Sequence, residues 1–359
     1  MPKRLLLIGA GHAHLTMIRD WNEAEKEEME WVLISPGPYH YYSGMFSGLM
    51  EGLYKKEEVR VELGAFCRRH GGSFLEGAAV KIDYNHKQVQ TDRGDTLFFD
   101  AASINIGAGT AGASRGKGSH VLKPALGVPE TVERMRHADR PAVIGSGCGG
   151  VEMALSLQSW RQKHRREAYP VRLFSSGGIM PDETKQIQHA VRKLLQKQRV
   201  QVIEEGRAGE KEGLLHTGNG LHSFDEALWL TGSAAHPLFQ ASSLPTAEDG
   251  SLRVNAGMQV PGMPELFGAG DSVTMDAYPA LPKNGVYAIR QAPVLKENIT
   301  AFFQGGTSPL FTPQKNYTAI LSTGGKKGLL IRGRLHFKGS TAWRLKNRID
   351  KKFMASLHS

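Results

Sequence analysis

The chain has 359 residues, of which 40% are hydrophobic and 22% are charged, ordinary proportions for a soluble globular protein. This length is more than one hydrophobic core usually supports, so we expect two or three domains. No run of about 18 apolar residues occurs, and the sequence therefore predicts no transmembrane helix. The only two cysteines, Cys67 and Cys148, are far apart, which excludes a disulfide framework and predicts a reducing compartment, the cytoplasm.

The net charge of +10 is concentrated at the C-terminus. Residues 311–359 contain eleven lysines and arginines and one acid, Asp350, while the first 310 residues carry equal numbers of basic and acidic side chains. This distribution favours an acidic surface as the partner of the C-terminal segment. No nucleic-acid recognition motif accompanies the charge, so we do not predict nucleic acid as that partner.

The first predicted elements are a strand, a glycine-rich turn and a helix. Residues 5–8 are a continuous apolar run, the turn GAGHAH follows at 9–14, and residues 15–21 continue as a helix. The next strand spans 31–34 and ends at Ser35. This succession is the opening βαβ unit of a dinucleotide-binding fold.

The first turn departs from the usual GxGxxG pattern at one position. Gly9 and Gly11 occupy the first two glycine positions, where the backbone turns sharply and approaches a pyrophosphate. His14 replaces the third glycine, which normally lets the helix pack closely on the strand, so we expect a local adjustment there. Ser35 stands where an acid commonly binds the ribose.

A second strand–turn–helix unit begins near residue 140. The buried strand 142–144 leads into the turn GSGCGG at 145–150. All three glycines of the pattern are present, at Gly145, Gly147 and Gly150. Ser175 stands in place of the ribose-binding acid, which leaves NADH and NADPH both open, and Arg172 is the arginine that we consider for a 2′-phosphate.

The order of the elements predicts that one domain is inserted into the other. Between the turns, one longer strand is predicted at 98–106, and the segment FGAGD at 267–271 has the form of the last strand of the first unit. We therefore predict an α/β protein with two Rossmann-like domains and a small C-terminal segment. The predicted boundaries are 1–120 and 247–310 for the first domain, 121–246 for the inserted domain and 311–359 for the basic C-terminal segment.

These motifs give the chain a resemblance to a known family. It resembles the pyridine nucleotide-disulfide oxidoreductase superfamily, in the branch of type II NADH dehydrogenases and sulfide:quinone oxidoreductases. It is most similar to the FAD-dependent domain found fused to selenide, water dikinase. The resemblance is carried by GAGHAH at 9–14, YSGMFSGLMEGLY at 42–54, SINIGA at 103–108, GSGCGGVE at 145–152, LTG at 230–232, GAGD at 268–271, PKNGVYAIRQAPVLKENI at 282–299 and WRLKNRIDKKFM at 343–354.

The resemblance implies FAD in the first domain and NAD(P)H in the inserted domain. It implies that the three glycines of the second turn hold the nicotinamide nucleotide, with Glu152 just inside the following helix. The helix that begins after the PKNG segment would point at the flavin, where its N–H groups stabilise negative charge on the reduced ring. The implied FAD-binding residues are Gly9, Gly11, His12, Ser35, Gly107, Asp271, Asn284 and Gly285.

Two residues are predicted to act in the reaction, Lys283 and Tyr42. Lys283 belongs to the PKNG segment, which is closer to the PKTG-like segment of sulfide:quinone oxidoreductases than to that of NADH dehydrogenases. Tyr42 belongs to the aromatic loop 39–45, which is predicted to approach the flavin and to line an acceptor pocket. Lys123, before a proline, is expected near the cleft between the domains.

The cysteines disfavour a thiol mechanism. The CxxxxC pair of disulfide reductases is absent, and no cysteine follows Cys148, whereas sulfide:quinone oxidoreductases use a second, later cysteine. Cys148 lies near a helix N-terminus, where a thiolate is favoured. No metal-binding spacing occurs, and we predict no metal site.

Residues 341–357 predict an amphipathic helix. Its apolar residues recur at spacings of three and four, and lysines and arginines lie between them. The helix either lies on an anionic membrane, the inner face of the cell membrane, or packs on the protein itself or on a partner subunit, with a homodimer left open. The apolar stripe consists of Ala342, Leu345, Ile349, Phe353 and Leu357.

The first functional hypothesis is an FAD-dependent oxidoreductase that takes a hydride from NAD(P)H and passes electrons to a quinone-like acceptor. The second is a sulfide- or selenium-linked flavoprotein that does not use NAD(P)H. The third is a flavoprotein whose inserted domain has lost nucleotide binding, and the intact second turn argues against it.

Overall fold

Two β-sheets of buried apolar strands carry the two glycine turns, and both sheets are parallel except for one antiparallel edge strand, Gln259–Val260, in the first. The computed structural model describes residues 3–22, 29–166, 168–314 and 318–359. The central strands of the first sheet are buried along most of their length, which is why they are continuous apolar runs rather than alternating ones. The first sheet has six strands in the spatial order Gln259–Val260, Met263–Gly268, Ala101–Ile104, Lys3–Ile8, Met29–Ser35 and Ser73–Glu76.

The first sheet takes strands from both sides of the inserted domain. Met263–Gly268 pairs in parallel with Ala101–Ile104, although the whole second sheet lies between them in sequence. The predicted α/β class and the insertion of one domain in the other are therefore confirmed. Strand Ser119–Val121 belongs to the second sheet, so the predicted boundary after residue 120 passes through that strand, and the remaining boundaries stay predictions.

The second sheet has five strands, all of them parallel. Helices Cys148–Lys163 and Lys185–Lys197 follow two of them. Its strands, in spatial order, are Ser119–Val121, Glu226–Trp229, Pro141–Ile144, Arg172–Phe174 and Gln201–Ile203. A small antiparallel sheet of Gly209–Lys211, Leu214–His216 and Leu221–Ser223 contributes Leu215 to a core that it shares with the second sheet.

The single strand predicted at 98–106 is wrong, because the structure forms two strands there. Thr96–Phe98 pairs within a small antiparallel sheet, whereas Ala101–Ile104 lies at the centre of the first sheet. A bend at Asp100 separates them. The Asp100 carboxylate accepts the N–H of Arg4 at 2.6 Å, and its own N–H donates to the Arg4 carbonyl oxygen at 2.8 Å. These two contacts fix the bend.

The other elements connect and cover the two sheets. Within the described ranges, no helix combines the length and the apolar content that a membrane span requires. The other helices are His12–Arg19, Phe46–Glu51, Leu63–Arg69, Val128–His137, Leu238–Ala241 and Gly285–Gln304. The other strands are Tyr39–Tyr41, Arg60–Glu62, Ala79–Asp83, Gln88–Thr91, Gly109–Thr110, Ser233–Ala234, Leu252–Val254 and Val273–Met275.

The C-terminal helix, Ser340–His358, packs on the protein with only part of its apolar stripe. Met354 and Leu357 are buried in the main core, whereas Leu345 and Ile349 are 44% and 52% exposed. The helix therefore has one face against the protein and a second apolar face towards solvent. It follows an antiparallel sheet of Thr318–Ser322, Gly328–Arg332 and Leu335–Gly339.

Candidate functional site

The first glycine turn is tight because another segment backs it closely. Gly9 has a φ of +92°, which favours glycine, and its N–H donates to the Ile34 carbonyl oxygen at 2.8 Å. A Cβ on Gly9 would lie 2.5 Å from the Asn105 carbonyl oxygen, and a Cβ on Gly11 would lie 2.1 Å from Asn105 Oδ1. The two glycines are therefore required by the protein itself as well as by any bound phosphate.

Asn105 holds this turn in place, and the sequence reasoning did not single it out. Its Oδ1 accepts the N–H groups of Ala13 at 3.0 Å and His14 at 3.2 Å, at the start of the first helix. Its Nδ2 donates to the Ala269 carbonyl oxygen at 2.7 Å, in the GAGD segment. The available signal was a polar residue at the end of an apolar strand, since Asn105 is only 2% exposed.

His14 makes the local adjustment expected at the third glycine position. Burial lowers the pKa of His14 to about 4, so the ring is neutral near pH 7. Nδ1 lies 2.7 Å from the Gly9 carbonyl oxygen and must donate to it, which leaves Nε2 to accept from the Ser103 hydroxyl at 2.8 Å. A hydrogen-bonded imidazole thus replaces the close backbone contact that a glycine would permit.

We expect the free energy of unfolding to fall as the pH is lowered from about 6.5 towards about 4. Burial lowers the pKa of both His12 and His14 to about 4, so in this range the unfolded chain binds protons that the native protein does not. Urea denaturation at several pH values measures how steeply the free energy of unfolding depends on pH. His14→Asn should flatten it, whereas replacing the exposed His137 with asparagine should leave it unchanged; equal slopes in all three proteins would contradict the assignment.

The second glycine turn has the same backbone form but an open outer side. Gly145 has a φ of +107°, and its N–H donates to the Phe174 carbonyl oxygen at 2.9 Å, as Gly9 does to the equivalent strand. A Cβ on Gly150 would lie 1.8 Å from the Gly145 carbonyl oxygen. A Cβ on Gly147 would meet no atom within 4 Å. This space above the helix N-terminus fits a nucleotide phosphate.

Ser175 and Arg172 lie at opposite ends of one strand. Ser175 follows its carboxyl end, and its Oγ is 2.8 Å from Ser146 Oγ in the second turn. Arg172 begins the strand, and its guanidinium donates to the Ser223 carbonyl oxygen at 2.6 Å. Arg172 is therefore placed away from the turn that it was considered to assist.

The helix Gly285–Gln304 begins beside the first turn. Asn284 caps it, because its Oδ1 accepts the N–H groups of Val286 at 3.1 Å and Tyr287 at 3.2 Å. A Cβ on Gly285 would lie 3.6 Å from His12 Nε2. Two helix N-termini, each with a positive dipole end, thus meet at one place.

The other predicted FAD-binding residues lie around this meeting point. Asp271 Oδ2 accepts from Lys123 Nζ at 2.6 Å, which brings the predicted cleft lysine to the GAGD segment. Gly107 has a φ of +73°, and its N–H donates to Ser272 Oγ at 2.9 Å. Ser35 is buried at the end of its strand.

The structure gives Lys283 and Tyr42 separate surroundings. Lys283 Nζ donates to Asp249 Oδ2 at 2.5 Å and also contacts the Ser251 hydroxyl. The Tyr42 hydroxyl donates to Asp350 Oδ1 at 3.2 Å, on the C-terminal helix. Their predicted roles in the reaction remain predictions, and the two side chains are held by different parts of the chain.

Four rings form an aromatic cluster beside the first turn: His12, His40, Tyr42 and Phe353. Ring centroids are 4.7 Å apart for Tyr42 and Phe353, 5.1 Å for His12 and His40, and 5.4 Å for His12 and Tyr42. Burial lowers the pKa of His12 to about 4 and of His40 to about 3, so both rings are neutral. In the described part of the chain neither Nε2 has a hydrogen-bond partner.

Buried charged groups on the C-terminal helix adjoin this cluster. Asp350 is 5% exposed and accepts from Lys346 Nζ at 2.8 Å as well as from Tyr42. Burial raises the pKa of Asp350, and burial together with the Asp350 carboxylate raises the pKa of the Tyr42 hydroxyl. Sequence reasoning left open whether this helix lies on a membrane or packs on the protein, and it did not predict a contribution to the site.

Glu152 joins the inserted domain to the C-terminal segment. Its Oε1 accepts the Ser322 N–H at 2.7 Å and the Ser47 hydroxyl at 2.9 Å. The Lys346 pKa is raised, because the nearby Glu152 and Asp350 charges outweigh the effect of burial, so this ammonium stays charged. The inserted domain, the helix Phe46–Glu51 and the C-terminal segment are therefore in contact around Glu152.

Neither cysteine is placed as a reactive thiolate. Desolvation and the carboxylates of Glu183 and Glu152 raise the pKa of Cys148 to about 11, although its side chain reaches solvent. Burial raises the pKa of Cys67 to about 12. The N-terminal position of Cys148 on its helix, which favours a thiolate, is thus outweighed.

These features fit the two predicted nucleotides. Two helix N-termini meet at the first turn, and a pyrophosphate such as that of FAD is stabilised by their N–H groups. His12 lies at the same place, and its Nε2 has no hydrogen-bond partner in the described part of the chain. The second turn offers open space at Gly147 and Gly149. Bound FAD supplies the two-electron chemistry, and the protein supplies orientation and electrostatics.

Comparison with known proteins agrees with this geometry. Residues 3–292 match the family described as pyridine nucleotide-disulphide oxidoreductase. The chain is 27% identical over 163 residues to the assimilatory nitrate reductase electron transfer subunit of Bacillus subtilis, covering 44% of this chain and 21% of that protein. It is 26% identical over 224 residues to the demethylphylloquinone reductase NdbB of Synechocystis, covering 56% of this chain and 54% of that protein.

A solved structure shares the fold along nearly the whole chain. NDH2 from Plasmodium falciparum, solved in complex with NADH, superposes with a TM-score of 0.82 at 15% identity, covering 99% of this chain and 98% of that one. The chain spans about a fifth and about half of the lengths of the two relatives above. The family match covers most of the sequence and confirms the predicted cofactors. The chain therefore belongs to the pyridine nucleotide-disulphide oxidoreductase family.

Proposed function

We propose that the protein oxidises NAD(P)H and passes the electrons to a quinone-like acceptor that binds beside Tyr42. The observation that carries this proposal is the aromatic cluster. Its rings are uncharged and flat, and it lies adjacent to the first turn. A quinone ring is flat and apolar, and its carbonyl oxygens take part in hydrogen bonds. In neutral His40 the other ring nitrogen makes a hydrogen bond to the Ala10 backbone, so the unpartnered Nε2 is available to accept a hydrogen bond from the hydroxyl of the reduced acceptor. A relative named for quinone reduction supports the same class.

The protonation of the acceptor is assigned to the row Lys346, Asp350 and Tyr42. Reducing a quinone to a quinol with NAD(P)H consumes one proton from solvent, in addition to the transferred hydride. These three side chains form a continuous hydrogen-bonded row, 2.8 Å from Lys346 Nζ to Asp350 Oδ2 and 3.2 Å from Asp350 Oδ1 to the Tyr42 hydroxyl. The row ends at Tyr42, in the aromatic cluster. Tyr42 gives its hydroxyl proton to the acceptor as the acceptor is reduced, and Asp350, whose pKa is raised by burial, returns a proton to Tyr42 along the hydrogen bond that joins them.

Anaerobic stopped-flow spectroscopy tests the proposed function in two halves. NADH or NADPH should bleach the flavin, and a soluble quinone should then restore its absorbance. If sulfide bleaches the flavin and neither nicotinamide nucleotide does, the sulfide-linked alternative replaces this proposal. If the nucleotides reduce the flavin and no quinone reoxidises it, the acceptor assignment is lost.

Tyr42→Phe should separate the two halves. We expect reduction by NAD(P)H to be unchanged and reoxidation by quinone to slow by at least about tenfold, because the proton donor is removed and the ring is kept. Tyr54→Phe is the matched control, because the Tyr54 hydroxyl also donates to the C-terminal helix, but to Asn347 at 2.7 Å rather than to Asp350. Equal reoxidation rates in the two variants would remove Tyr42 from the proton row.

We also propose that the outer face of the C-terminal segment binds an anionic membrane surface, where a quinone would be available. Leu335 and Phe337 on the last strand are 76% and 55% exposed, close in sequence to the exposed Leu345 and Ile349 of the helix. Lysines and arginines dominate the charge of this segment. Exposed apolar side chains surrounded by cations suit the interface of an anionic bilayer.

The double variant Leu345→Gln/Ile349→Gln should weaken sedimentation with phosphatidylglycerol vesicles. These side chains are exposed, so the change removes the apolar contact while leaving the packing of Met354 and Leu357 intact. Leu221→Gln, at a leucine that is 63% exposed on the inserted domain, is the control. Deleting the helix is a poorer test, because that would uncover the core. Unchanged sedimentation of the double variant would contradict membrane binding by this face.

A further inference from the structure

A cavity of about 390 Å³ lies on the inserted domain, between the second sheet and its small antiparallel sheet. Arg140 and Arg172 line one end of it, next to the starts of two parallel strands. Tyr169 and Gln201 also line it, and Glu205 lies at its other end with His222. Its volume falls in the range of small-molecule sites. None of the residues that line the cavity belongs to the second glycine turn at 145–150, so this cavity is a separate place.

The two guanidinium groups are held by neutral partners. Arg140 donates to Ser223 Oγ at 3.1 Å and lies 5.2 Å from the centre of the Tyr169 ring. Arg172 donates to the carbonyl oxygens of Ser223 at 2.6 Å and Arg140 at 3.4 Å, and lies 5.9 Å from the Phe174 ring. These hydrogen bonds and ring contacts hold both planar guanidinium groups, whose paired N–H groups form a fork, in position before any ligand binds.

The positive charge at this end is incompletely compensated. Among the residues that the structure describes, no carboxylate forms a salt bridge with Arg140 or Arg172. The Asp225 carboxylate accepts the Arg140 backbone N–H at 2.7 Å, and its charge raises the pKa of Arg172. Burial and the Arg140 charge lower the pKa of Arg172, so placing two cations here has a cost that a bound anion would relieve. Glu205 is occupied by Thr217 and His222.

We propose that this cavity binds a small molecule that carries a phosphate or pyrophosphate group. Two guanidinium forks match the charge and the oxygen geometry of a phosphate dianion better than those of a single carboxylate. The Tyr169 ring and the Ile203 side chain, at the wall of the same cavity, offer contact to the rest of the molecule. The site is independent of the proposed acceptor and of both nucleotide turns.

Calorimetric titration of the FAD-loaded protein with pyrophosphate tests the site. Arg140 and Arg172 lie outside the second glycine turn, so a loss of binding in their variants reports on this cavity and not on the nucleotide site. We expect wild-type binding that Arg140→Gln and Arg172→Gln each weaken by at least about tenfold, since each removes one fork. Arg192→Gln is the matched control, because Arg192 lies on the same domain and pairs with Glu204 at 2.6 Å. That variant should bind pyrophosphate like the wild type.

A second probe and a second variant keep the test decisive. AMP should bind more tightly than inorganic phosphate if Tyr169 and Ile203 contact the rest of the ligand. Arg172→Lys keeps the charge without the fork, so it should bind with intermediate affinity even if Arg172→Gln fails to fold. Absence of pyrophosphate binding to the wild type up to about 10 mM would overturn the proposal. So would equal affinities in the wild type and the correctly folded arginine variants.

Discussion

Gly150→Ala is expected to abolish reduction of the flavin by NAD(P)H while the flavin stays bound. The added Cβ would lie 1.8 Å from the Gly145 carbonyl oxygen, so the helix Cys148–Lys163 must move away from its strand. That movement displaces the helix N–H groups that would hold the nucleotide phosphate. We expect the rate of anaerobic bleaching to fall by at least about 100-fold, equivalent to about 3 kcal/mol.

Gly147→Ala is the informative companion to this variant. Its Cβ would meet no protein atom within 4 Å, so the turn and the stability of the protein should be preserved. Any loss must then arise from the nucleotide, whose pyrophosphate would approach that backbone. We expect a raised KM for NAD(P)H with an unchanged melting temperature. Wild-type KM values in this variant would show that the nucleotide does not sit on the second turn as proposed.

Gly11→Val is expected to yield a protein without flavin. The sequence alone attributes this loss to a clash with the pyrophosphate, but the structure adds a clash within the protein. A Cβ at this position would lie 2.1 Å from Asn105 Oδ1 and 2.5 Å from the Asn105 carbonyl oxygen. The valine would force apart the turn and the strand end that holds it. Flavin absorbance per protein measures the result.

The second glycine turn provides the control for flavin loss. Gly147→Ala should retain flavin at the wild-type level, because it alters only the inserted domain. Asn105→Ala should also lower flavin content, since the N–H groups of Ala13 and His14 lose their acceptor while the backbone clash is absent. Flavin content near the wild-type level in Gly11→Val would contradict the placement of FAD at the first turn.

The sequence by itself determined the two nucleotide turns and the nesting of the domains. Both follow from local patterns: an apolar strand before glycines at fixed spacing, and a GAGD segment that repeats the form of a strand end. The same local reasoning identified the amphipathic C-terminal helix. Such patterns involve only a few neighbouring residues, so they can be recognised without knowing how the rest of the chain packs.

Only the tertiary structure decided which residues face one another at the site. Tyr42 and Asp350 are 308 positions apart, and nothing in their local sequence predicts that one donates to the other. Lys283 is held by Asp249, 34 positions earlier, and its predicted role in the reaction remains a prediction. Long-range contacts depend on how elements pack, which the period of a single element does not specify.

The C-terminal helix illustrates the difference between what the local sequence predicts and what the tertiary structure decides. Its period gave one apolar stripe, but packing buries Met354 and Leu357, brings Phe353 to the aromatic cluster and leaves Leu345 exposed. The rotation of the helix on the protein decides this, and the contacts of Asp350 with Tyr42 and of Lys346 with the Gly44 carbonyl oxygen hold that rotation. The sequence therefore fixes that a helix forms, and the shape of the surface beneath it decides what each side chain does.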